Sequence, residues 1–172
     1  MRQLAQIIFS IPTPKGSGRW LMAFLPLCLL LTGCGPEILF ERTQELPTGG
    51  WAYQDSVAFE FSVPDTVRKY DLLLNVTHDQ SFPYQNFYVN IHTDFPNGRR
   101  TTQRVSLQLA GDFGAWLGDC GGTSCDLQIP VLSNARFAQS GTFGVVVEQY
   151  SRDEPLVGVR ELGLRVEVAE EQ

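Results

Sequence analysis

Apolar and polar residues alternate with a period of two along most of the chain beyond residue 56. Val57, Phe59, Phe61 and Val63 alternate with Ser56, Ala58, Glu60 and Ser62, and Tyr70, Leu72, Leu74 and Val76 repeat the pattern. Phe87, Val89 and Ile91 alternate with Tyr88, Asn90 and His92. Val105, Leu107 and Leu109 follow, then Phe143, Val145 and Val147, and finally Leu162, Leu164, Val166 and Val168. A strand turns successive side chains to opposite faces, so each run predicts a strand with one face on a core and one in water. No stretch holds a 3.6-residue apolar period.

Turn signals separate the runs: Val63-Pro64-Asp65-Thr66, Ser81-Phe82-Pro83-Tyr84 and Phe95-Pro96-Asn97-Gly98. Asn-Gly favours a tight hairpin because both residues accept positive φ. Short strands at this spacing predict an all-β chain, an antiparallel β-sandwich of Ig-like or jelly-roll-like type with about 7–8 strands. Residues 111–125 break the pattern. Gly111, Gly114, Gly118, Gly121 and Gly122 surround Trp116, which predicts a long surface loop pinned by Cys120 and Cys125.

The N-terminal part is of another kind. Arg2, Lys15 and Arg19 precede the apolar run Trp20–Leu31, and no acidic residue occurs before Glu37. The run is shorter than the ~17–25 residues of a spanning helix and is interrupted by Pro26, but it suits the apolar region of a signal peptide. It ends in Leu31-Thr32-Gly33-Cys34. That tetrapeptide resembles the bacterial lipobox, in which the cysteine thiol is acylated and the chain is cut just before it. The organisation expected is a lipoprotein signal peptide over 1–33, a lipidated tether over 34–50 and a β-sandwich domain over 51–172.

Composition then sharpens the partners. The chain has 172 residues, 43% of them hydrophobic, and a formal charge of −6, enough for one domain with a core. Cleavage before Cys34 removes 33 residues and three of 13 basic ones, leaving 139 residues with 10 basic against 19 acidic, a side-chain charge of −9. No excess of Lys and Arg remains to neutralise phosphates, which excludes a nucleic-acid binder. An acidic body does not adhere to anionic headgroups, so acyl chains on Cys34 must hold it at the membrane.

Of the four cysteines, Cys28 leaves with the leader and Cys34 carries lipid. Cys120 and Cys125 remain in an oxidising compartment, and a disulfide is the favoured reading. Two cysteines without suitably spaced histidines do not make a zinc site, and Cys-x-x-Cys spacing is absent.

Catalytic chemistry finds little support. His92 stands on the polar side of a strand, and His78 lies at a strand end beside Asp79. Both are expected on the solvated surface, without a serine partner or a Gly-x-Ser-x-Gly elbow. Gly121-Gly122 lacks the Lys-Ser/Thr of a phosphate loop. Asp112, Asp119 and Asp126 flank Trp116 and suggest a calcium or sugar site, but turn chemistry explains them too, without the dense spacing of a calcium loop. Trp51, Tyr53, Tyr84, Phe87 and Tyr88 form either a stacking patch or ordinary packing. Arg99-Arg100 solubilises a hairpin tip. No enzyme activity, cofactor, metal or small-molecule substrate is expected.

Taken in order, the motifs resemble the gliding-motility lipoprotein GldH family. Leu46-Pro47, Gly50-Trp51, Asp55-Ser56-Val57-Ala58-Phe59 and Val63-Pro64-Asp65-Thr66 open the series. Tyr70-Asp71-Leu72, Tyr84-Gln85-Asn86-Phe87-Tyr88 and Phe95-Pro96-Asn97-Gly98 continue it. Gly114-Ala115-Trp116-Leu117-Gly118 looks like the family's Trp-Leu-Gly loop. Gly141-Thr142-Phe143, Glu148-Gln149, Gly158-Val159 and Gly163-Leu164-Arg165-Val166-Glu167 complete it. Cys120 and Cys125 depart from the family pattern, as does Arg160-Glu161-Leu162, where an Asp-Val pair is usual.

The resemblance implies a non-enzymatic lipoprotein of the gliding machinery, linked to type IX secretion and docking to other envelope proteins. The Trp116 loop, with Leu117 and Gly118, is the candidate partner surface, since a glycine-rich aromatic loop adapts to a partner; a plug at one end of the sandwich is the competing role for Trp116. Gly35-Pro36-Glu37 lacks an acidic export cluster and has no Asp after the cysteine, which suggests the outer membrane, facing the periplasm. A cell-surface carbohydrate-binding sandwich is the alternative function.

Overall fold

The structure, a computed structural model, describes residues 35–170. The expected signal peptide and Cys34 lie outside the described residues. Among those residues no helix is long and apolar enough to cross a membrane.

The alternating runs fold as antiparallel strands in two sheets. In chain order they are β1 (Ile38–Glu45), β2 (Val57–Val63), β3 (Tyr70–Asp79), β4 (Asn86–Asp94), β5 (Arg100–Gln108), β6 (Asp119–Gly121), β7 (Ser124–Ala135), β8 (Gly141–Gln149) and β9 (Val159–Val168). The five-stranded sheet runs β1-β9-β3-β7-β6 and the four-stranded sheet β2-β8-β4-β5. The described residues thus form an all-β antiparallel sandwich, as the alternation predicts. Leu74 and Val76 of β3 and Leu162, Leu164 and Val166 of β9 face Phe59, Phe61, Val89, Phe143, Val145 and Val147 across the core, all buried. Burying such side chains contributes about 1.5–3 kcal/mol each before chain entropy is set against it.

Three strands lie where none is read from the pattern: β1, β7 and the short β6 inside the expected 111–125 loop. β1 occupies residues expected as tether, pairing with β9 from Ile38↔Glu167 to Glu45↔Glu161. Its residues are mostly exposed because it is a sheet edge, so main-chain hydrogen bonds rather than a buried face define it. β7 carries Pro130 within it. Since β6 covers only the Ser124–Asp126 end of β7, Pro130 lies where β7 has a neighbour on one side only, which is where a strand tolerates proline.

Strand direction sorts the connections between two ends. Ile38, Tyr70, Ala135 and Val168 share one end through the pairings Ile38↔Glu167, Tyr70↔Ala135 and Tyr70↔Val168. The 64–69 turn and the β4–β5 hairpin lie there also. In that hairpin the Gly98 amide donates to the Phe95 carbonyl at 2.9 Å, and Gly98 takes φ +79°. The opposite end carries the connections 46–56, 80–85, 109–118 and 150–158.

Candidate functional site

The glycine-rich stretch is an ordered hairpin extension rather than an irregular loop. The Leu117 amide donates to the Leu109 carbonyl at 2.8 Å, and the Gly111 amide to Ala115 at 2.8 Å. Gln85 receives the amides of Leu109 and Ala110 at 2.8 and 3.1 Å, tying the extension to the start of β4. Its tip is a single 3-10 turn at Asp112–Gly114, where Phe113 takes φ +64° and stands fully in solvent.

Within it the three candidate residues divide the work. Trp116 is half-buried: its indole N–H donates to the Gln80 carbonyl at 3.2 Å and its ring meets His78. Gly118, at φ +79°, lies so close to β7 that a Cβ there would sit 2.2 Å from the Asp126 carbonyl oxygen. Leu117 is 42% exposed. Trp116 is therefore the pin, Gly118 permits the close approach, and Leu117 with Phe113 presents the apolar surface.

Cys120 and Cys125 are joined by a disulfide, their Cα atoms 4.0 Å apart as direct partners across β6 and β7. The bond closes the 119–126 hairpin. It does not hold residues 111–118, which carry their own ladder and the Trp116 pin.

His78 corrects the expectation of a solvated histidine: it is fully buried. It continues the inward register of Tyr70, Leu72, Leu74 and Val76 in β3, so the parity of the strand carried the signal. A backbone carbonyl only accepts, so the 2.8 Å contact of Nδ1 with the Asp79 carbonyl means that Nδ1 carries the proton. Nε2, buried beside Trp116 and Phe82, has no protein partner. His92 is partly buried and meets Glu148 at 3.1 Å and Thr102 at 2.8 Å. No serine or cysteine nucleophile accompanies either ring among these contacts.

The aspartates do not converge. Asp119 and Asp126 are opposite each other across β6 and β7, with Thr77 donating to Asp126 at 2.5 Å, while Asp112 is at the hairpin tip. Among the described residues no group of three or more His, Cys, Asp or Glu side chains could hold a metal ion. Arg100 forks onto Asp94 at 2.6 and 2.7 Å, and Arg99 lies 4.8 Å over the Phe95 ring.

The five aromatic residues weighed as a stacking patch or as ordinary packing divide between the two. Trp51 and Phe87 are core residues, whereas Tyr53, Tyr84 and Tyr88 are 48, 41 and 46% exposed. Together with Tyr150, 47% exposed, they wall a groove of about 930 Å³ on the outer face of the four-stranded sheet. Its floor is Asn90 of β4, Arg104 of β5 and Glu148 of β8, neighbours by register. Tyr84 donates its hydroxyl to Asp153 at 2.6 Å, which with burial raises its pKa, and Tyr53 donates to the Ser151 carbonyl at 2.6 Å. The Arg104 guanidinium stacks 3.6 Å over Tyr150. Tyr150 is the member that the sequence pattern missed, since it stands just past the last inward position of β8.

The family model described as GldH lipoprotein matches residues 38–166. A gliding motility lipoprotein GldH homolog of Christiangramia forsetii is 22% identical over 151 residues, 84% of this chain and 92% of the relative. The gliding motility lipoprotein GldH of Flavobacterium johnsoniae is 23% identical over 160 residues, 89% of this chain and 96% of the relative. Among solved structures, the Yersinia pseudotuberculosis-derived mitogen aligns at 9% identity and TM-score 0.36 over 80% of this chain and 91% of that one.

Proposed function

The chain belongs to the GldH lipoprotein family, and we propose that it is a lipid-anchored, non-enzymatic gliding-motility lipoprotein that docks other envelope components through the 109–118 hairpin. The observation that carries the docking role is the exposure of Phe113 and Leu117 on a hairpin that Trp116 pins to the core. Exposed apolar side chains on a rigid support lose little entropy on binding and gain their full burial.

Lipidation at Cys34 gives the arrangement a direction. Only residues 35–37 separate Cys34 from β1, a reach of roughly 10 Å. The chain enters the sandwich at the Ile38 end, and the docking hairpin belongs to the opposite end, about 30 Å away along strands as long as β3. A short tether with the binding hairpin at the far end suits a protein that fixes a partner at a set distance from a bilayer. The outer membrane, its periplasmic face and a link to type IX secretion complete this reading.

The test is capture from detergent extracts of cells expressing the chain with Phe113→Ser and Leu117→Ser. Loss of the envelope proteins recovered with the unaltered chain supports docking through the hairpin. Unchanged recovery of the same proteins overturns it.

A further inference from the structure

We propose that the tyrosine-walled groove on the outer face of the four-stranded sheet binds an uncharged oligosaccharide. Four tyrosines, Tyr53, Tyr84, Tyr88 and Tyr150, present ring surface there, each between 41 and 48% exposed. Two are held in place by their hydroxyls, Tyr84 on Asp153 and Tyr53 on the Ser151 carbonyl, each at 2.6 Å. A third is backed by Arg104, 3.6 Å from the Tyr150 ring centre. Rings set in advance lose little conformational freedom when a flat apolar surface stacks on them. The face of a pyranose ring is such a surface, and its edge is a row of hydroxyls.

The floor suits those hydroxyls. Asn90, Arg104 and Glu148 lie side by side across three strands, so an amide, a guanidinium and a carboxylate, each planar and able to make paired hydrogen bonds, face the same space. Asn90 Oδ1 accepts from Arg104 Nε at 3.3 Å, which aligns the two. The charges balance: Arg104 and Arg152 against Glu148 and Asp153 line the groove. A net-neutral site gives an acidic ligand no electrostatic preference over a neutral one, and desolvating two carboxylates opposes it. At about 930 Å³ the groove lies near the top of the ~300–1,000 Å³ range of small-ligand sites, room for more than one sugar ring.

An extended peptide fits less well. Val89–Asp94 of β4, which runs beneath the groove, is paired on both sides, by β5 and by β8, so strand addition is open only on the outer side of β5, the sheet edge, and not on the groove floor. The floor is polar and lacks the apolar socket that a peptide anchor fills.

The experiment titrates the whole chain, purified in detergent, with cellohexaose, maltohexaose, xylohexaose and mannohexaose, and with hexagalacturonate as the charged counterpart. Saturation-transfer NMR and calorimetry read the binding. The result expected is saturable binding of at least one neutral hexasaccharide, weakened roughly tenfold or more by Tyr150→Ala and by Tyr88→Ala. Arg104→Gln, which keeps a planar group over the ring, weakens it less than Tyr150→Ala, and Phe113→Ser leaves it unchanged. Unshifted melting midpoints show that the variants fold. The proposal is overturned if none of the four neutral sugars binds, if binding survives both tyrosine substitutions, or if hexagalacturonate binds more tightly than every neutral sugar.

Discussion

Trp116 and His78 meet edge to face, their ring centroids 4.7 Å apart and their planes inclined at 62°. One partner is fully buried in β3 and the other belongs to the glycine-rich hairpin, so the pair joins the candidate docking element to the core. Trp116→Ala removes the hairpin's pin and exposes His78, and is expected to destabilise by about 2–4 kcal/mol. Phe113→Ser and Leu117→Ser, both at exposed positions, stay within about 0.5 kcal/mol of the unaltered chain. Urea denaturation of the three variants separates the pin from the surface that it supports.

Gly118 makes a different demand. It combines φ +79° with a Cβ position 2.2 Å from the Asp126 carbonyl oxygen and 2.6 Å from Leu127 Cβ. Gly118→Ala must therefore move the hairpin off β7 as well as strain its own backbone. The expected loss is about 2 kcal/mol or more, accompanied by faster amide exchange at Leu117, whose amide donates to Leu109.

The Cys120–Cys125 bond closes a loop with only four residues inside it. In the chain-entropy model so small a loop contributes about 2 kcal/mol. Thiol-labelling mass spectrometry of envelope fractions is expected to find both cysteines blocked until reduced. The Cys120→Ser, Cys125→Ser chain should lose about that stability while the 109–118 ladder, held independently, keeps its protection from exchange.

Asp65 contributes to the acid limb of stability, as does Asp94, which Arg100 holds below its ordinary pKa. The Asp65 carboxylate accepts the amides of Arg68 and Val67 at 2.9 Å and pairs with the Arg68 guanidinium at 2.8 Å. The Arg68 amide first and its guanidinium second hold the Asp65 pKa down at about 2. A group whose folded pKa is depressed contributes stability above its unfolded value, ~3.9, and loses it as pH falls through the folded one. The gap in melting temperature between the unaltered chain and Asp65→Asn should thus be constant above about pH 5 and narrow between about pH 4 and pH 2.

Much of the sandwich is legible in the sequence because its central strands bury one face. Tyr70, Leu72, Leu74 and Val76 announce β3, and the same parity extended one step places His78 inside, against the habit of assigning histidines to the surface. β1 leaves no such trace: an edge strand with an exposed face has no periodic signal, and its pairing with β9 depends on residues far along the chain. Pro130 disguises β7 for the same reason, since only the sheet order makes a proline acceptable there. The surface sites were readable in residue type but not in assembly. Tyr53, Tyr84 and Tyr88 stood out, whereas their company with Tyr150, Arg104 and Glu148 depends on the register of β4 between β5 and β8.

Docking through the far-end hairpin and anchoring through Cys34, as proposed above, can be tested together in living cells. The most direct measurement places a photo-crosslinking residue at Phe113, at Leu117 and, as control, at Thr101 in the β4–β5 hairpin, in living cells with Cys34 intact or changed to Ala. Palmitate labelling reports the anchor. The expected result is palmitate on the Cys34 chain alone, and a shared envelope protein crosslinked from positions 113 and 117 but not 101. Crosslinking of that protein from position 101 and not from the hairpin, or palmitate label persisting on the Cys34→Ala chain, would contradict the proposal.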